Sequence, residues 1–411
     1  MRNPPIDQEF AFDPQDPSKS KDFALMDRIR ATRPVCRPAD HLVLTTRWQD
    51  TRDGFRDIVR FSSVGDMRAP GVTVPIEESF LGELDAPLHP RIRRVLMRAF
   101  TLKGGLAAEE WTRACVRRRL DAYAHNGGGD LMQALAIPLP GSVSAHVLGI
   151  PDALHDQVMA WCDALLHSTW PSHGKTERGE GIAGAFPELA ATLDELIADR
   201  AANEAAAPDD RPDDLIATMV HTRDEEGWQI GAHHIRTLIV NILAGSLSAS
   251  YMLGNIAYRF VRDTAFQQVL RDQPDLIPAA VEESLRYEAP VAFLFRTARD
   301  DGEIGGCPVH KGEHLMLGIA AANRDPAQYP DAGTFRLDRD NTDSHLSFGF
   351  GAHLCVGNHL TRMIGRVVLE EMIALFPQGS LSFAPGFAWQ CVAHPLEYGP
   401  ETLDLKVKTI R

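Results

Sequence analysis

The run from Gly231 to Asp263 sets the plan of this chain. It is the longest helical pattern in the sequence, strongly apolar around Leu238–Leu243 and again at Tyr251–Ile256. A helix apolar on most of its faces must be covered by other elements, so this one is expected to cross the molecular centre. From Pro87 to about Glu204 the pattern is again helical, broken at Lys103–Gly105, Asn126–Gly129, Pro138–Pro140 and Pro151. Further helices are expected over Lys21–Ala31, from Arg47, over Leu276–Tyr287 and over Asn358–Phe376. Short strands are expected at Pro34–Arg37, His41–Thr46, Ala292–Ala298 and Glu313–Leu317. Residues 62–84 read as loop, Glu204–Asp214 as a solvated linker, and Arg324–Ser344 as irregular coil. The class is therefore mainly α with minor β (α+β). One domain is expected over residues 21–411, preceded by a flexible segment, residues 1–20.

Composition narrows the function. A formal net charge of −14 over 411 residues lacks the broad basic face a general nucleic-acid binder needs. It also disfavours adhesion to an anionic membrane surface. No uninterrupted run of eighteen apolar residues occurs, so no bilayer span is expected. Met1–Ser20 is polar and rich in Asp and Pro, without the basic start and apolar core of a signal peptide. A cytoplasmic protein is the expectation.

Six cysteines, at 36, 115, 162, 307, 355 and 391, lie tens of residues apart with no Cys-x-x-Cys pair. A zinc or iron–sulfur site built from local pairs is thus disfavoured. Five read as small, mostly buried hydrophobes. Cys355 differs, because Phe348-Gly-Phe-Gly-Ala-His-Leu-Cys-Val-Gly357 places it in a glycine-rich loop directly before a helix. Unpaired N–H groups and the positive dipole end favour a thiolate there. Gly349, Gly351 and Gly357 clear side chains where the backbone approaches something flat or turns sharply. His353 can donate to an anion. The same residues would also suit a glycine loop capping a helix around a buried cysteine, while the glycine spacing does not fit a dinucleotide fingerprint.

The segment resembles the haem-ligand signature of bacterial cytochrome P450 enzymes, Phe-Gly-x-Gly-x-His-x-Cys-x-Gly, and meets every fixed position. The resemblance implies the P450 fold, with haem b (iron protoporphyrin IX) between the long central helix and the Cys355 loop. Cys355 would be the axial thiolate that donates charge to iron, beside Phe348 and Gly349. Glu283 and Arg286 match the family's Glu-x-x-Arg pair, which buttresses the coil beneath the haem. Thr334 falls near the usual third, basic partner, with Arg339 or His345 as substitutes. His89 and Arg93, one helical turn apart in LDAPLHPRIRRVLMRAFT (84–101), match two haem-propionate donors; Arg296 and His353 match two more. Ala321–Asp325 is another family-like stretch, of structural type. Matching landmarks run from about residue 21 to the C-terminus.

One stretch departs from the family. Where typical members carry Ala-Gly, any residue, then an acid and a threonine, this chain has Ala244-Gly245-Ser246-Leu247-Ser248. Leu247 replaces the acid, and Ser248 keeps a hydroxyl in place of the threonine. Ser246 and Ser250 are alcohols nearby on other faces of the helix. Ala244, Gly245, Leu247 and Ser248 are expected to line the oxygen site, with protons moving through Ser248 and water, through the substrate, or by another relay.

Three functions fit. The first is a haem-thiolate monooxygenase oxidising a small apolar organic molecule with dioxygen and electrons from a ferredoxin. The second is a peroxide-driven or radical-coupling enzyme. The third is a haem-thiolate sensor without turnover. An apolar pocket at Leu243, Leu247, Val291, Phe293 and Leu294 favours an enzyme. Specificity is expected from residues 62–84, Trp161–Trp170, Phe186–Leu196, 291–295 and Cys391–Leu396. Arg91, Arg94, Arg98, Arg362 and Arg366 are expected to form a basic docking face for an acidic ferredoxin.

Overall fold

Gly54 shows how closely the helices lie on the main sheet. A Cβ there would fall 2.4 Å from Leu317 Cδ2, so helix Trp48–Arg56 rests on strand His314–Leu317 with nothing between. That strand is the middle of a five-stranded sheet ordered Val35–Ala39, Leu42–Thr45, His314–Leu317, Leu294–Ala298, Phe61–Ser62. It pairs in parallel with Leu42–Thr45 and antiparallel with Leu294–Ala298, where Arg296 faces Leu315. The computed structural model describes residues 10, 12–65, 75–101, 104, 107–169, 181–202 and 213–408. It is 55% helical, with smaller sheets.

The chain divides into two compact units. The first comprises Met1–Ser62, Arg113–Ile137 and Ser248–Arg411. Its core gathers the sheet residues Val43, Leu44, Leu315, Met316 and Leu317 with Phe55, Phe61, Phe293 and Leu346, all nearly solvent-free. Helix Ile277–Tyr287 packs on helix Asn358–Leu375 within it. A small second sheet pairs Asp404–Val407 with both Gly128–Asp130 and Leu381–Phe383. None of these three strands was expected. Gly128 and Gly129 have no side chains to signal a strand, and their partner lies more than 270 residues away in sequence.

The second unit comprises Ser63–Thr112 and Pro138–Leu247. Helix Ala232–Ala244 contacts Pro138–Leu148, His155–Thr169, Pro187–Ala202 and Leu215–His221. Leu139, Val143, Leu189, Leu193, Leu238 and Leu243 are fully buried among these helices.

Three expectations need correcting. The Gly231–Asp263 run is two helical stretches, Ala232–Ala244 and Ser246–Arg262, with a turn at Gly245. Pro138–Pro140 does not end a helix but starts one, Pro138–Leu148, because first-turn prolines lack only N–H groups that would go unpaired. Within 62–84, single 3₁₀ turns form at Ile76–Glu78 and Leu81–Glu83, while 66–74 lie outside the described residues. By length and average composition alone, Ala232–Arg262 is long and apolar enough to cross a membrane, although polar residues interrupt it. Some 61% of its most apolar window is buried inside the protein, as in a core helix. Trp170, Lys103 and most of Glu204–Asp214 also lie outside the described residues, as do residues 1–9. Of the N-terminal segment, Pro17–Ser20 forms a helical turn capped by Asp16.

Candidate functional site

The Cys355 loop is built from backbone first. Gly349 (φ 70°) and Gly351 (φ 73°) adopt left-handed conformations that side chains disfavour, which lets the chain turn twice within three residues. Gly349 N–H donates to Leu346 O at 2.8 Å, Leu354 N–H to Gly351 O at 3.1 Å, and Cys355 N–H back to Phe348 O at 2.9 Å. Asn358 Nδ2 then donates to Cys355 O at 2.7 Å, fixing the loop to the first turn of helix Asn358–Leu375. Cys355 therefore sits at that helix's positive end.

A haem needs a side-chain-free surface and a soft, reachable donor. Cys355 is the one exposed cysteine, since Cys36, Cys115, Cys162 and Cys307 are buried and Cys391 is half-buried. Burial pushes the Cys36 and Cys162 thiols up to about 12, so neither offers a thiolate near neutrality. Leu354 is exposed beside Cys355, and a Cβ on Gly357 would stand 3.9 Å from the Cys355 sulfur. The donor set and the glycine surface suit the group.

Three supports hold the loop. Phe55, in the core of this unit, lies under Gly349, where an added Cβ would be 3.7 Å from its ring. The buried Arg296 guanidinium lies over the same Phe55 ring, 5.5 Å from its centroid. Arg296, Gly349 and the half-buried His353 thus share one neighbourhood. The second support is Arg362, whose guanidinium lies 4.6 Å over the Phe348 ring and binds both Glu282 oxygens, at 2.6 and 3.0 Å. His345 Nε2 is 3.3 Å from the same carboxylate. Burial alone would raise the Glu282 pKa, but His345 and Arg362 hold it down at about 2.

The third support is the coil itself. Glu283 and Arg286 form a fully buried pair, with two contacts of 2.7 Å. Arg339 Nε reaches Glu283 at 3.2 Å and Arg336 N–H donates to it at 2.8 Å. Arg286 also donates to the carbonyls of Asn323, Ala332 and Thr334, and Arg339 to those of Pro330, Asp331 and Thr334. Thr334 thus contributes its carbonyl, and Arg339 is the basic partner at Glu283. The buried Asn323 passes the order on: it donates to Ser347 Oγ at 2.8 Å and accepts from Leu346 N–H at 2.7 Å, just before Phe348.

His89 and Arg93 share a face of helix Leu88–Leu96 in the second unit, with His89 buried and Arg93 half-buried. Ala244, Gly245 and Leu247 belong to that unit too, and Ser248 opens the last stretch of the first. A Cβ at Gly245 would meet Asn241 O at 3.3 Å, so glycine keeps this turn unhindered. Ser246 Oγ donates to Leu243 O at 2.6 Å, and Ser250 Oγ to Ile137 O at 3.4 Å; both residues are buried. Leu247 and Ser248 are half-buried.

Leu243 and Phe293 are buried in their own units, while Leu247, Val291 and Leu294 keep partial exposure. The turn at Cys391–Leu396 is tied to the N-terminal segment, with Ser20 Oγ donating to Pro395 O at 3.0 Å. Three of the five arginines expected on a basic face have acidic partners within the chain. Arg91 Nε binds Asp224 at 2.9 Å, Arg362 binds Glu282, and Arg366 binds Glu370 at 3.0 Å. Arg94 and Arg98 are exposed.

The Glu282–Arg362–His345 clamp was not foreseen. Its only sequence signal is the doubled glutamate of EESLR, which sends adjacent carboxylates to different partners.

Comparison with known proteins agrees with the fold. A family model described as "Cytochrome P450" matches residues 153–378. The mycinamicin IV hydroxylase/epoxidase of Micromonospora griseorubida is 31% identical over 85% of this chain and 86% of that protein. A steroid C26-monooxygenase of Mycobacterium tuberculosis is 30% identical over 85% and 90%. The structure of a mutant of P450 EryK in complex with erythromycin B superimposes with a TM-score of 0.81 at 28% identity, covering 94% of this chain and 96% of that one. The chain belongs to the cytochrome P450 family and is a haem b-dependent oxidoreductase of the monooxygenase kind.

Proposed function

We propose that this P450 oxygenates a bulky, largely apolar organic molecule of macrolactone or steroid type, as one catalytic domain over residues 21–411 in the cytosol. Bound haem supplies dioxygen activation; the chain's residues position, shield and supply protons. Cys355 is its thiolate ligand, and the exposed sulfur on a glycine surface at a helix N-terminus is the observation that carries this reading. His89, Arg93, Arg296 and His353 receive the propionates. Phe348, held between the His345 side and Arg362, keeps the ligand loop from collapsing over Cys355. Gly245 leaves room beside the cofactor, and Leu247 keeps that side apolar.

Ser248 is the hydroxyl that passes protons towards the reacting oxygen, because it stands where the family carries its threonine. Electrons come from a ferredoxin that meets Arg94 and Arg98. Relatives acting on a macrolide and on steroids support the substrate class by likeness. Leu247 supports a second reading, peroxide-driven turnover or radical coupling, because no carboxylate stands where the family places one. A difference-absorption screen of macrolactones and steroids, followed by product analysis with a ferredoxin system and with hydrogen peroxide, tests both. No spectral response and no product from either class would reject the substrate assignment.

A further inference from the structure

A cavity of about 660 Å³ lies wholly within the first unit, lined by parts of helix Ser246–Arg262 and by Tyr287, Arg324, Trp389 and Tyr398. Its size is that of an organic-ligand site. One wall is a continuous run of rings: Phe23 meets Tyr398 at 5.1 Å, Tyr398 meets Trp389 at 5.6 Å, and Trp389 meets Tyr258 at 6.2 Å between centroids. The two ends of that wall each carry a guanidinium. Arg324 lies between Phe23 and Tyr287, 3.8 and 3.9 Å from the ring centroids, and Arg262 lies 5.9 Å over Tyr258.

The charges are unevenly matched. Arg259 is neutralised by Glu288 at 2.6 Å. Arg324 donates only to the Tyr287 carbonyl, at 3.0 and 2.7 Å, and among the described residues neither it nor Arg262 has a carboxylate at ion-pair distance. Glu288 is 8% exposed, and its Oε2 has no hydrogen-bond donor among the described residues. Burial lowers the Arg324 pKa, so an anion beside it would relieve that cost.

We propose that this cavity is a second ligand site, for an aromatic carboxylate. The rings pack on the Phe23–Tyr398–Trp389–Tyr258 wall and the carboxylate meets Arg324 or Arg262. A neutral aromatic gains only the stacking, and a cationic one meets three arginines against two carboxylates, Asp263 and Glu288, in the lining.

The test uses the haem-loaded enzyme and 6-hydroxy-2-naphthoate, followed by titration calorimetry, with the haem Soret band recorded in parallel. Saturable binding is expected without a Soret shift. It should weaken about tenfold in Arg262→Gln, recover in Arg262→Lys, and fall similarly for 6-hydroxy-2-naphthamide. Arg262 is exposed, so its variants should fold; Arg324→Gln is the companion, with circular dichroism as its folding check. Absence of binding, or binding that neither Arg262→Gln nor Arg324→Gln changes, overturns the proposal. A Soret shift that persists unchanged in both variants overturns it too, because the probe is then entering the haem pocket. None of these outcomes bears on the role of Cys355.

Discussion

Arg362 grips both carboxylate oxygens of Glu282 while its guanidinium lies over the ring of Phe348. One side chain thus ties the helix bearing Glu283 and Arg286 to the loop bearing Cys355. The pair is largely buried, so its strength belongs to folded-state packing rather than to a screened surface contact.

That pair sets a pH dependence. Glu282 titrates at about 2 in the folded protein against an ordinary value of 4.5. Its contribution is therefore full above about pH 4.5 and is lost as pH falls towards 2. A depression of that size corresponds to about 3 kcal/mol, an order-of-magnitude figure. Glu282→Gln should flatten the acid limb of a stability–pH curve between those limits. Urea unfolding at several pH values checks this, and parallel curves for both proteins would dismiss it.

Breaking the deeper pair should cost more. Glu283 and Arg286 are both solvent-free, and removing one leaves a buried charge plus orphaned carbonyls in the 323–334 coil. Arg286→Leu should destabilise the protein by about 3–5 kcal/mol and impair haem retention. Thermal unfolding with pyridine haemochrome quantitation measures both. A stable, haem-replete variant would remove the pair from this role.

Because Arg91, Arg362 and Arg366 have acidic partners, the proposed ferredoxin docking should depend on Arg94 and Arg98. Arg94→Glu with Arg98→Glu should slow reduction by a ferredoxin about tenfold at low salt and little at high salt. Arg366→Glu should do less, because Glu370 already neutralises that position. Stopped-flow reduction at graded ionic strength distinguishes the cases; equal effects at all three sites would contradict the assignment.

These differences show where the sequence was readable. Helix Asn358–Leu375 and strand Leu294–Ala298 stand close to their expected bounds because local periodicity writes them. The Cys355 loop was legible because its glycines and cysteine form a long fixed pattern. The strands Gly128–Asp130 and Asp404–Val407 were not, since their pairing is distant and glycines carry no alternation. The Arg366–Glu370 pair is one helical turn apart and legible, but nothing announced that Glu282 would find Arg362 eighty residues on. Ion pairs between elements are decided by packing, which charge counts do not see.

On the proposed reading, Leu247 in place of an acid makes proton supply the weak point of turnover. If Ser248 is the remaining relay, Ser248→Ala should lower product formed per NADH consumed by about tenfold or more. Leu247→Glu should raise that ratio, provided the carboxylate reaches water. Hydrogen peroxide should support turnover comparatively well in all three proteins. High coupling in the native enzyme that Leu247→Glu does not improve would show the relay to be complete without an acid.

Thiolate ligation by Cys355 is the claim on which the rest stands, and carbon monoxide reads it directly. Reduced native protein treated with carbon monoxide should show the long-wavelength Soret band diagnostic of a thiolate ligand. Cys355→Ala, with haem content checked, should lose that band, while Cys391→Ala should keep it. A Cys355→Ala protein that retains haem and retains the band would place the ligand on another residue and contradict the assignment.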